Sequence, residues 1–157
     1  MEKPVRESQV ITTQLVLPND TNQLGNLLGG TLMHWIDITA AICARRHAGT
    51  ICVTASVDEL DFFHPVHLGE IVTLKASVNR VFRTSMEVGV FVTAEGGGSV
   101  PDRRSNTAYL TFVAVDGDGK PVPVEQVRPE TDAERRRFDA ALARRERRLA
   151  HRRPEEH

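Results

Sequence analysis

Residues 9–17 read QVITTQLVL, rich in β-branched side chains and closed by Pro18-Asn19-Asp20, the composition of a strand running into a turn. After TNQLGNLLGG, residues 31–47 contain neither Pro nor Gly. Leu32, Met33, Trp35, Ile36, Ile38, Ala40, Ala41 and Ile42 make this stretch the one long apolar helix, with Arg45, Arg46 and His47 placed to complement its C-terminal dipole ahead of Gly49. Beyond Gly49 the period changes to two. Ile51, Val53, Ala55 and Val57 share a face, and the phase then slips so that Leu60 and Phe62 alternate with Glu59 and Asp61, as in a long strand with a bulge. Val72, Leu74, Ala76 and Val78 form one arm of a hairpin, and Met86, Val88, Val90, Val92 and Ala94 form the other, joined through Phe82-Arg83-Thr84. Residues 96–104 are expected as a flexible Gly-rich loop, and 106–116, apolar on both faces, as a central strand.

Residues 120–130 contain three prolines and read as a linker. Residues 131–152 are rich in Ala and Arg, and Phe138, Ala141, Leu142 and Leu149 form only a thin apolar stripe, so this last helix is expected to pack loosely or fray. One apolar helix followed by long antiparallel strands defines an α+β class. The economical arrangement wraps the sheet around the helix.

At 157 residues the chain suits one domain, which usually takes roughly 100–200 residues. Its 40% hydrophobic and 26% charged content is ordinary for a globular protein. The opening MEKPVRESQV has no apolar stretch and no segment approaches a membrane span, so neither a secretory signal nor a membrane association is expected, and the cytoplasm is. Cys43 and Cys52 lie in no metal or redox spacing and read as reduced core residues. The formal charge is −1, but residues 131–157 hold nine Arg against six Asp or Glu. That basic tail raises an anionic partner, against the alternative of a solvated helix face. No helix-turn-helix pattern or aromatic-interleaved basic strand points to nucleic acid.

Asp37 is the informative residue. It lies two turns inside the apolar helix, too far from either end to be a cap, and a carboxylate there needs a partner or a polar cavity. A purely structural bond to a loop amide is the alternative. Asn26-Leu27-Leu28-Gly29-Gly30 leads into the helix; paired glycines at a helix start admit a ligand, and the unsatisfied N–H groups there can polarise a carbonyl, although a tight entry turn explains the same residues. His64 and His67 flank a Pro-Val turn with no third ligand, so no metal site is assigned. His34 could bond Asp37. Neither a Gly-x-Ser-x-Gly elbow nor a Cys/His nucleophile arrangement occurs.

Residues 18–46, followed by Asp61-Phe62, Pro65, Gly69-Glu70, Arg83-Thr84-Ser85, Thr107-Ala108-Tyr109 and 112–116, resemble the hotdog-fold acyl-CoA thioesterases of the bacterial YciA and cytosolic brain-type group. The resemblance implies a hotdog domain over 8–119, the 120–130 linker and a 131–157 basic tail outside it. It implies acyl-CoA as substrate and no separate cofactor, coenzyme A being part of the substrate. Self-association as a dimer, assembled as a trimer of dimers, comes with it. By the same resemblance Asp37 and Asn26 are the catalytic pair, contributed by facing subunits. Gly29 and Gly30 supply amides for the thioester oxygen, and Arg83, Thr84 and Ser85 contact the nucleotide. Such chemistry needs an oxyanion site and either a base for water or a carboxylate nucleophile giving an anhydride, and Asp37 suits both roles. The rival readings are an acyl-thioester hydratase or dehydratase using His34 with Asp37, and a non-catalytic acyl-CoA-binding regulator.

Overall fold

A computed structural model describes residues 1–58, 60–61, 64–96 and 103–152. The expected helix is α1, Gly29–Ala48, and it ends where Gly49 takes a left-handed φ of 73° and returns its N–H to the Arg45 carbonyl at 2.8 Å. Five strands form one antiparallel sheet: β2 (Val10–Leu15), β3 (Ile51–Val57), β4 (Ile71–Val81), β5 (Ser85–Glu95) and β6 (Arg103–Val115). Their order is β2-β4-β5-β6-β3. Strand β6 is therefore interior, as its two apolar faces require, and β2 and β3 are the edges. Of the expected 96–104 loop, residues 97–102 lie outside the described residues, while Arg103 already pairs with Glu95.

The inner sheet face is the apolar set read from the sequence. Val72, Leu74, Val78, Met86, Val88, Val90, Leu110 and Phe112 are buried against Leu32, Ile36, Ala40, Cys43 and Ala44 of α1. Burying a side chain of this size contributes about 1.5–3 kcal/mol, and the strict period of two delivers most of them to one face. His47 departs from its expected role. Instead of complementing the helix end it is buried, its Nε2 donating to the Glu125 carbonyl at 2.7 Å, while Nδ1 has no partner among the described residues.

Two further expectations change. Strand β3 ends at Val57, so Leu60 and Asp61 do not extend it, and Phe62 lies outside the described residues. Its bulge falls earlier than the slip in phase suggests, between Thr54 and Ser56. At the other end, the segment read as a linker contains β7 (Gln126–Arg128), paired in parallel with β1 (Glu2–Pro4). The last helix, α2 (Asp132–His151), is capped by the Thr131 side chain, which accepts from the Glu134 N–H at 3.0 Å.

Helix α2 is docked on the outer sheet face rather than frayed, and polar groups do most of the docking. Arg144 Nε and Nη2 grip Glu87 Oε1 and Oε2 at 2.7 and 2.9 Å, and Asn79 Nδ2 donates to the same carboxylate at 3.1 Å. Glu87 is completely buried. The Arg144 guanidinium also stacks 3.6 Å from the Tyr109 ring centre, and Arg80 stacks at 4.0 Å on Phe138. Of the expected apolar stripe only Ala141 is buried and Phe138 half-buried, while Leu142 and Leu149 stay exposed. Beside Glu87, Gly89 must lack a side chain, because a Cβ there would lie 2.7 Å from Asn79 Nδ2.

Candidate active site

Asp37 is half-buried on the side of α1 that faces edge strand β3, and its Oδ1 accepts a hydrogen bond from Thr54 Oγ1 at 2.7 Å. Regular pairing creates this contact, since Cys52 and Thr54 stand opposite the buried Ala114 and Phe112 on the inner face, and the bulge follows only after Thr54. In a regular strand residues i and i+2 share a face, but here Thr54 stands opposite core residue Phe112 and Ser56 opposite Thr111 of the outer face. Thr54 is thus turned inward to the helix and Ser56 outward. The donor to Asp37 is Thr54, not His34, which is exposed.

Asn26 lies in a tightly braced loop. Asn22 Oδ1 accepts from the N–H groups of Leu24 at 2.9 Å and Asn26 at 3.2 Å, and the Asn22 N–H donates to the Asn26 carbonyl at 2.8 Å. The Asn26 Oδ1 accepts from His67 Nδ1 at 2.7 Å. Gly29 and Gly30 are exposed at the start of α1, which has no side-chain cap, so first-turn amides there are free donors. Within one chain Asn26 and Asp37 share no hydrogen-bond partner. Close by, an apolar cavity of about 270 Å³ lies between the helix start and the sheet, lined by Leu27, Gly29, Leu32, Val66, Val92 and Ala94.

Thr84 and Ser85 line a groove of about 770 Å³ on the outer face, whose other wall is the C-terminal half of α2 with Arg145, Arg147, Arg148 and Arg152. Arg145 Nη1 donates to Ser85 Oγ at 3.4 Å, and Arg148 pairs with Asp58 at 3.1 Å. The Thr111 hydroxyl, in the groove wall, is buried without a partner. Arg83 is exposed at the hairpin turn, its carbonyl accepting from the Val124 N–H, and does not line the groove. Thr54, Asn22, His67 and the α2 arginines escaped the sequence reading as site residues. Only the arginines left a signal: Arg144, Arg148 and Arg152 recur every fourth residue and so share one helix face.

Around edge strand β3 the surface is apolar and uncovered. Ile51 is 56% exposed, Val53 47% and Val57 40%, and Ile38 and Ile42 of α1 are also exposed, at 45% and 38%. The apolar face of this edge strand is therefore left without cover among the described residues. Among the described residues no helix is long and apolar enough to cross a membrane.

A five-stranded antiparallel sheet wrapped on one long helix, with a carboxylate on that helix and free amides at its start, defines the hotdog class of thioester-processing folds. Comparison with known proteins agrees. Residues 24–101 match the Thioesterase superfamily. The chain is 45% identical over 129 residues to YkhA of Bacillus subtilis, described as an uncharacterized acyl-CoA thioester hydrolase, covering 82% of this chain and 75% of that one. It is 44% identical to mouse acyl-coenzyme A thioesterase 11 over 92% of its own length, but spans only 24% of that longer protein. Among solved structures, an acyl-CoA hydrolase from Staphylococcus aureus in complex with butyryl coenzyme A and coenzyme A superposes with a TM-score of 0.88 at 42% identity, covering 96% of this chain and 92% of that one. An apo-hexameric acyl-CoA thioesterase gives 0.89 at 43%, covering 97% and 100%. The chain belongs to the thioesterase superfamily and has its hotdog fold.

Proposed function

We propose that this protein hydrolyses acyl-CoA to a free carboxylic acid and coenzyme A, at a site completed when two copies associate through β3. The observation that carries this reading is the Asp37–Thr54 pair, held beside an apolar edge strand left uncovered among the described residues. Thr54 engages Oδ1 of the carboxylate and leaves Oδ2 to accept a proton. In the general-base route, Oδ2 takes a proton from water as the water oxygen bonds to the thioester carbon. The carbonyl electrons move to its oxygen, where first-turn amides at Gly29 and Gly30 stabilise the charge. Collapse of that intermediate breaks the C–S bond, and the leaving thiolate takes up the proton. The anhydride route, with Oδ2 attacking carbon directly, uses the same residues and adds a hydrolysis step.

Antiparallel pairing of two β3 strands would join the sheets and cover Ile51 and Val53. It also sets the division of labour. The start of β3 lies near Ser85, since Ile51 pairs with Val115 and Ser85 with Val113, whereas its end leads to the loop at the helix start. Antiparallel pairing therefore sets the start of one protomer's β3 beside the end of its partner's, next to the partner's helix-start loop. Asp37 and Thr54 then come from one protomer, and Asn26 with the Gly29 and Gly30 amides from the other. The apolar cavity takes the acyl chain. The groove at Thr84, Ser85 and the α2 arginines takes the phosphate-bearing nucleotide of coenzyme A, with Arg83 at its approach, so the arginines of α2 that line it serve substrate retention. Hexameric relatives support assembly of such dimers into a trimer of dimers. The free thiols Cys43 and Cys52 fit a reducing compartment such as the cytoplasm.

The Staphylococcus aureus enzyme has been solved with an aspartate, a threonine and an asparagine each replaced by alanine. Its threonine follows the aspartate by seventeen positions and its asparagine precedes it by fifteen, the intervals that separate Thr54 and Asn22 from Asp37 here. This supports Asp37 and Thr54 as a working unit and points to Asn22 rather than Asn26 as the counterpart of that asparagine, Asn22 bracing the loop that presents Asn26. A hydratase reading would need a His–acid pair, and His34 is not the partner of Asp37. The test is a panel of acyl-CoAs with a thiol reagent, in which free coenzyme A is released by the wild type and not by an Asp37→Asn variant that still assembles. Undiminished release by that variant would remove Asp37 from the mechanism. Mixing Asp37→Asn with Asn26→Ala protomers should restore part of the activity, and none after verified subunit exchange would count against a shared site.

A further inference from the structure

The loop carrying Asn26 is clamped to the turn at residues 67–70. The Leu27 N–H donates to the Val66 carbonyl at 2.7 Å, the Leu68 N–H to the Gly25 carbonyl at 2.9 Å, and Asn26 and His67 face each other as an isolated antiparallel bridge. The turn is itself fixed, with the His67 N–H donating to Glu70 Oε1 at 3.1 Å and the Glu70 N–H to the His67 carbonyl at 3.0 Å. Backbone geometry thus sets the imidazole so that its Nδ1 lies 2.7 Å from Asn26 Oδ1, across 41 residues of sequence. An amide oxygen only accepts, so the proton of this bond sits on Nδ1. With Oδ1 engaged, both N–H groups of Asn26 Nδ2 remain without a partner among the described residues, available to a ligand. An unheld Asn amide has a broad terminal torsion and presents either end.

We propose that His67 is a positioning residue for thioester hydrolysis, holding the Asn26 amide by its oxygen so that the Nδ2 donor faces the reacting carbonyl or water. This rests on the reading of Asn26 as a site residue given above. Its chemistry requires the Nδ1–H form of the ring. It also makes a specific demand of variants: Asn at position 67 keeps a donor nitrogen where Nδ1 stood, and Ala does not.

The experiment is a double-mutant cycle on the assembled protein, reading kcat and KM for one good acyl-CoA substrate, together with nitrogen NMR of the His67 ring. Expected are a fall in kcat of about tenfold for His67→Ala with KM within about twofold, the scale of losing orientation at a reacting group. His67→Asn should regain most of that loss. The double variant Asn26→Ala/His67→Ala should be no slower than Asn26→Ala alone, because His67 acts only through Asn26. The neutral ring should carry its proton on Nδ1. Wild-type kcat in His67→Ala beside a slow Asn26→Ala overturns the proposal alone, as do losses that multiply in the double variant or a ring protonated only on Nε2. An Asn26→Ala variant at full speed overturns the reading of Asn26 and this proposal with it.

Discussion

Replacing Arg144 with alanine would leave the Glu87 carboxylate inside the protein without the guanidinium that now holds both its oxygens. The side chain of Glu87 is 0% exposed and that of Arg144 14%, so solvent screens the pair little. Burial alone would lower the Arg144 pKa, but the hydrogen bond and charge of Glu87 outweigh it and hold the guanidinium above its ordinary value. Breaking a buried ion pair from one side costs about 3–5 kcal/mol. Asn79 Nδ2 at 3.1 Å remains and Arg148, 3.9 Å away, gives partial compensation, which places the expected loss near the lower end, about 3 kcal/mol. For a chain of this size that lowers Tm by about 6–12 °C. Urea unfolding and thermal scans at one fixed protein concentration would read both, since association also stabilises the folded state. The double variant Arg144→Met/Glu87→Gln, with no charge left in the interior, should recover most of the loss. A Tm for Arg144→Ala within about 2 °C of wild type would refute the assignment of this pair as the anchor of α2, as would a double variant less stable than the single one.

Thr54→Ala should lower kcat by about tenfold, the scale of one charge-assisted hydrogen bond partly expressed in the transition state, and Thr54→Ser should retain most activity. Arg147→Ala should raise KM for acyl-CoA several-fold, more at low salt, while leaving hydrolysis of a pantetheine thioester that lacks the nucleotide unchanged; equal effects on both substrates would move the nucleotide out of the groove. Burial lowers the His47 pKa below its ordinary 6.5, with Lys3 nearby acting in the same direction and the Glu125 contact opposing it. The unfolded chain therefore takes up a proton near pH 6.5 that the folded chain refuses, so stability should be complete above that pH, fall as the pH drops through it, and level off below the folded pKa. His47→Gln, which keeps a donor for the Glu125 carbonyl, should flatten this part of the pH dependence of Tm.

The periodicity of the chain was sufficient for α1, for the long strands and for the inner face of the sheet, because these follow from local repeats of 3.6 and 2 and from where Gly and Pro interrupt them. It also singled out Asp37, since a carboxylate inside an apolar helix is conspicuous wherever that helix packs. The same period placed β3 as a strand but not the side on which its apolar face would lie. Ile51 and Val53 stand on the face opposite Cys52 and Thr54 of an edge strand and stay exposed, and strand order and facing are properties of the folded sheet. The bulge position is likewise set by pairing with β6, and it turns Ser56 outward while Thr54, ahead of it, stays on the inner face beside Asp37. Glu87 and Arg144 are 57 residues apart, and Asn26 and His67 41; no local repeat joins them. Sequence by itself determined the long helices, the long strands and the conspicuous carboxylate Asp37, but not β7 or the roles of Thr54, Asn22 and His67. Tertiary structure decided which of those residues meet, because contacts across such separations depend on register, strand order and the docking of α2, which only the closed sheet defines.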